Sequence, residues 1–124
     1  MQAKTSTIKI EANFDRPLRV QLLDAEHMNQ LHPDTFCILS DVIRKNIPKR
    51  MWIKCGIRWN KSINENAWME VIDVNHDDLG NVTYTAAFNE FNLGGIKSGS
   101  IAYGIEPRHI LDVDFERFKK LFTH

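Results

Sequence analysis

Apolar and polar residues alternate along most of this chain, and that alternation predicts strands. Ile8, Ile10, Ala12 and Phe14 face one way while Lys9, Glu11 and Asn13 face the other, so Thr7 to Phe14 reads as a half-buried strand. Asp15-Arg16-Pro17 turns the chain, because proline fixes φ and removes a donor. Leu18, Val20 and Leu22 then begin a second strand, and the two make a hairpin. Arg50 to Trp59 repeats the pattern, with Met51, Ile53, Cys55 and Ile57 on one face and Trp52, Lys54, Gly56 and Arg58 on the other. Asn60 to Asn66 is polar and reads as a loop. The clearest hairpin joins Trp68–Val74 to Val82–Phe88 through Asp78-Leu79-Gly80-Asn81, where Gly80 supplies the positive φ of a tight turn. Its first strand is apolar on both faces (Trp68, Ile72 and Val74 against Met69 and Val71), which predicts a central place in a sheet. Ile101 to Ile105 and Ile110 to Val113 read as two further strands around a tight turn at Pro107.

Helical signals are short. Asp24 is a fitting N-cap for a helix through Leu31, which Pro33 ends. Ser40 or Asp41 caps another through about Lys45, closed by Pro48. Leu111, Phe115, Phe118 and Phe122 fall at helical spacing, so Asp114 to Phe122 reads as a terminal amphipathic helix. The expected fold is α+β and mostly antiparallel: a small five-strand SH3-like barrel over 47–113, with the N-terminal hairpin and short helices (1–46) and the terminal helix (114–124) packed on it. An open α+β sheet is the competing arrangement.

A length of 124 residues fits one domain with a sizeable core, so neither disulfides nor a metal are needed for folding. Net charge is +0, which argues against a partner selected by global charge. Met1 to Ser6 is polar, without the apolar centre of an export signal, and no apolar run reaches membrane-spanning length. A cytoplasmic location is therefore expected, with Cys37 and Cys55 as buried, reduced thiols. Charge is segregated along the chain. Val42 to Asn64 carries Arg44, Lys45, Lys49, Arg50, Lys54, Arg58 and Lys61 and no acid. Glu65 to Ile96 carries Glu65, Glu70, Asp73, Asp77, Asp78 and Glu90 and no lysine or arginine. Either a two-signed surface orients a protein partner, or neighbouring strands pair with opposite charges facing.

The residue types that could carry chemistry are few and scattered. No phosphate-loop, nucleophile-elbow or dinucleotide signature occurs, and the histidines lack ligand spacing, so no cofactor and no metal are expected. His76, Asp77 and Asp78 read as a solvated turn rather than a cation site. His32 and Asp34 could form an acid–base pair, but an Asx turn from Asp34 toward Phe36 is the simpler reading. His109, after Pro107-Arg108, is a candidate functional polar residue. Glu70 on the central strand needs a partner if it is half-buried, with Arg108, Lys54 or Arg58 as candidates. Trp52 shares a face with Lys54 and Arg58, and an aromatic among cations suits a protein hot spot or a base-stacking platform.

His32-Pro33-Asp34-Thr35-Phe36, Trp68-Met69-Glu70-Val71 and Arg108-His109-Ile110, in that order, resemble a family of small bacterial proteins whose domain carries no assigned function. The resemblance covers about Asp24 to Asp114. It departs at Ile47-Pro48-Lys49-Arg50, where the family has a Pro-Gly-Asp turn, and keeps a second such turn only in part at Lys97-Ser98-Gly99-Ser100. It implies a fold and carries over no catalytic residue. Three functions follow. The first is a non-catalytic protein-binding module using Trp52, Lys54 and Arg58, its sharpest form a cytosolic immunity protein that covers a toxin's active site. The second is a nucleic-acid-binding barrel, against which neutral charge argues. The third is an enzyme whose site is assembled in space from Glu70, His109 and His32.

Overall fold

A computed structural model describes residues 5–11, 18–59, 63–88 and 99–122. Its strands are β1 (Thr5–Glu11), β2 (Leu18–Leu23), β3 (Trp52–Trp59), β4 (Ile63–His76), β5 (Val82–Ala87), β6 (Ile101–Ile105) and β7 (Ile110–Val113). Its helices are α1 (Ala25–Leu31), α2 (Asp41–Lys45) and α3 (Phe115–Lys120), with a 3-10 turn at Pro107–His109. Asp24 caps α1 as predicted, accepting from the His27 N–H at 2.9 Å, and of Ser40 and Asp41 it is Ser40 that caps α2, accepting from Ile43 at 3.4 Å. Asp114, read from the sequence as the first residue of the terminal helix, is instead its cap, accepting from Arg117 at 3.0 Å, and the helix ends at Lys120.

The strands form one antiparallel sheet in the order β2-β1-β6-β5-β4-β3-β7, and β2 also pairs with β3. One edge of β3 serves two partners. Its first half meets β7, with Ile53 opposite Val113, and its second half meets β2, with Ile57 opposite Leu22. This curls the sheet into the small barrel-like α+β fold that the alternation predicts. The N-terminal hairpin is not merely packed on the barrel, however. β1 pairs with β6 and β2 with β3, so the hairpin supplies hydrogen bonds that those edges would otherwise leave open.

The core follows the pleat. Ile53, Cys55, Ile57, Met69, Val71, Tyr84, Ala86, Phe88, Ala102, Ile105 and Ile110 are all buried inside the barrel. The Tyr84 hydroxyl donates to the Arg44 carbonyl at 2.7 Å and accepts from the Ile47 N–H at 3.2 Å, tying the end of α2 to the sheet. Two expectations change. β4 begins at Ile63, so residues 63–66 are strand rather than loop, held by rungs such as Ile57–Glu65 and Gly56–Asn66. β4 takes the central place predicted for it, between β3 and β5, but it is buried on only one side: Trp68 is 37% and Ile72 40% exposed. The outside of a barrel is covered only where a helix or loop lies on it, and neither residue is covered in full.

Candidate functional site

The outer face of β3 and β4 holds two tryptophans. Trp52, the candidate contact residue among the cations of β3, is 6% exposed. The Arg117 guanidinium of α3 lies 3.7 Å from its ring centroid. Alternation correctly turned Trp52 away from the barrel interior; what it could not show is that α3 folds back over it. Trp68 is the aromatic that remains open. It lies opposite Lys54 on the β3–β4 ladder, and the Lys54 ammonium sits 5.7 Å from its ring centroid. At a part-exposed site such a cation–π contact contributes about 0.5–1 kcal/mol. Arg58, on the same side of β3, is half-buried on the rung of Gln21. Glu70 lies opposite Trp52 and pairs with Arg50 at 4.0 Å, a partner outside the set suggested by the sequence.

A groove of about 410 Å³ adjoins this face, lined by Phe36, Ile38, Leu39, Lys54, Asn66 and Asp112 together with Cys37 and Leu111. One wall is placed by the His32–Phe36 box. The His32 carbonyl accepts from Thr35 at 3.2 Å and Phe36 at 2.8 Å, and the Asn29 side chain donates to the Phe36 carbonyl at 2.7 Å. The bend is therefore held by main chain and Asn29, not by an Asx turn from Asp34. His32 and Asp34 are both exposed, and no described hydrogen bond joins them. Cys37 is exposed on the same wall, which corrects the expectation of two buried thiols. Cys55 is buried, and burial pushes its thiol up to about 12. The apolar Cys37-Ile38-Leu39 run looks like core, but only Leu39 packs against the core cluster, while Ile38 is half-buried and Cys37 is open.

On the other flank, α1, α2 and the 3-10 turn meet in a buried polar node that the sequence did not reveal. Its centre is Arg44, 2% exposed. Arg44 donates to the Leu39 carbonyl at 2.8 Å, to Glu26 at 2.9 Å, to the Pro107 carbonyl at 3.1 Å and to Asp41. Only the Asp41–Arg44 spacing on α2 was legible beforehand. Arg108 pairs with Asp24 at 3.7 Å and with Glu106 at 3.6 Å rather than with Glu70. His109 is fully buried, its Nδ1 accepting the Glu106 N–H at 3.0 Å. Burial lowers its pKa, against the opposing pull of the Glu106 and Asp24 carboxylates. Glu70 is taken up by Arg50 on the β3–β4 face, His109 is sealed inside this node and His32 lies on an exposed turn.

The segregated charges also interleave. Lys49 pairs with Asp73 at 3.6 Å and Arg50 with Glu70 at 4.0 Å, each joining the basic stretch to the acidic one. Asp77 is used by its own turn: it accepts from Leu79 and Asn81 N–H groups, each at 2.9 Å, and from the Asn81 side chain at 3.0 Å. The Asn81 side-chain bond leads the effects that hold its carboxyl below the usual range. Among the described residues no group of three His, Cys, Asp or Glu side chains could hold a metal ion, and no helix is long and apolar enough to cross a membrane. No family model, curated protein or solved structure matches the chain.

Proposed function

We propose that this protein is a non-catalytic binding module for another protein, with its contact surface on the outer face of β3 and β4. The observation that carries the reading is Trp68: a large aromatic left 37% exposed, with Lys54 over its ring and a groove beside it. An aromatic anchor next to a concave, part-apolar wall is the composition of a hot spot, and the flanking charges set orientation and on-rate. Trp68 replaces Trp52 as the anchor, while Lys54 keeps the role expected of it. Neutral net charge, with Asp112 opposite Lys54 and Glu70 two rungs along, favours a protein over nucleic acid.

An immunity protein is the sharpest form of this reading. It adds the requirement that the partner be a toxin, which the partner's own activity, assayed with and without this protein, decides. The interface is tested by using wild type and Trp68→Ala as baits in a native-host lysate, then titrating the recovered partner. Wild type is expected to retain a protein for which Trp68→Ala has about 30-fold lower affinity. A partner bound equally by both baits, or nucleic acid recovered in its place, would overturn the proposal.

A further inference from the structure

His109 is fully buried, yet among the described residues only one of its ring nitrogens has a hydrogen-bond partner. Nδ1 accepts the Glu106 N–H at 3.0 Å, so the neutral ring carries its proton on Nε2, a buried atom with no partner. A second proton can enter only at Nδ1, where it would meet the Glu106 N–H donor head-on. This bond caps the 3-10 turn, whose main chain is closed by the His109 N–H on the Glu106 carbonyl at 2.9 Å and the Ile110 N–H on the Pro107 carbonyl, and much of the flank depends on that turn. The Pro107 carbonyl receives Arg44 of α2 at 3.1 Å, and Arg108 pairs with Asp24, the cap of α1, at 3.7 Å.

We propose that His109 is an acid-sensitive latch: a proton arriving at Nδ1 expels the Glu106 N–H, opens the 3-10 turn and loosens α1 and α2 from the barrel. The charge acting on the ring is mixed: Glu106 and Arg108 from its own turn and Asp24 and Glu26 from α1 and its cap, while α2 contributes Arg44, which reaches the Pro107 carbonyl and carries Asp41 with it. The carboxylates favour an imidazolium, but Glu26 and Asp41 are already engaged by Arg44, and Asp24 and Glu106 by Arg108. Burial therefore prevails, and the folded state takes up the proton later than the unfolded chain. The stabilisation is complete above the unfolded histidine value of about 6.5 and is lost as pH falls below it toward the lower folded value. Because Arg44 also holds the Leu39 carbonyl, the loosening reaches the groove wall; that last consequence rests on the binding reading, whereas the latch does not.

The test follows the histidine ring nitrogens of the full chain by NMR, with amide hydrogen exchange measured at about pH 7.5 and about pH 5.5 and corrected for intrinsic rates. The expected result is an Nε2–H tautomer with a pKa below 6.5 for His109. Amides of α1, α2 and the 3-10 turn should lose severalfold more protection at the lower pH than those of β3 to β5. His109→Asn leaves an acceptor near Nδ1 and cannot titrate, so its protection should not respond to pH in this window. An Nδ1–H tautomer, a pKa of 6.5 or above, or the same loss in His109→Asn would overturn the latch. If that variant does not fold, the wild-type tautomer and titration decide.

Discussion

Trp52 and Trp68 stand on the outward side of neighbouring strands, two rungs apart on the β3–β4 ladder, and meet opposite surroundings. α3 crosses the barrel over Trp52 and seals it beneath Arg117, leaving 6% of it exposed. No such cover reaches Trp68, which keeps 37% of its surface open with only Lys54 across part of the ring. Both tryptophans are paired with a cation, and both belong to the face that alternation assigns to the outside. Which one is structural and which is available is decided by where a six-residue helix lands. An outward-facing aromatic is thus a binding residue only if nothing distant in sequence returns to cover it.

Exchanging each aromatic for alanine should separate the two roles. Trp52→Ala empties a covered site and is expected to cost about 3–5 kcal/mol in urea unfolding; a loss below about 1 kcal/mol would mean that α3 does not hold it. Trp68→Ala should unfold within about 1 kcal/mol of wild type yet weaken the partner complex by about 2 kcal/mol. A cost to stability as large as that of Trp52→Ala would end the distinction. Arg117→Ala removes the cover without removing the ring, and should cost about 1 kcal/mol while making Trp52 fluorescence more accessible to a soluble quencher. Lys54→Glu should leave stability nearly unchanged and slow association, more at low salt than at high; a salt-independent rate would remove Lys54 from the encounter. The smallest effect is a matter of access. Cys37, on the groove wall, should react readily with a thiol reagent and be protected by bound partner, whereas Cys55 should react only on unfolding.

Local chemistry made the elements legible before any tertiary information. Asp24, Ser40 and Asp114 cap helices where their side chains reach the next free N–H groups, and Gly80 turns β4 into β5 at φ +84. These are interactions between residues at most a few positions apart, so the chain order carries them. The candidate site was legible only in part. Lys54 and its face came from alternation. The exchange of Trp52 for Trp68, the exposure of Cys37 and the Arg50–Glu70 pair did not, because each depends on segments far apart in sequence.

Arg44 marks the limit most clearly. In the chain it is one cation of a basic run; in the fold it is buried, with Glu26 brought from 18 residues away and the Pro107 carbonyl from 63. The residues by themselves pointed to a mostly antiparallel α+β protein, with the Asp24 cap, the Gly80 turn and the inward faces of β3 and β5, because periodicity and capping act over a few residues; the choice of a closed, barrel-like sheet over an open one came from the pairing of β2 with β3. Only the tertiary structure decided which outward residues are covered, which charges meet and which histidine is sealed in, because those depend on where α1, α2, α3 and the 3-10 turn come to rest on the barrel.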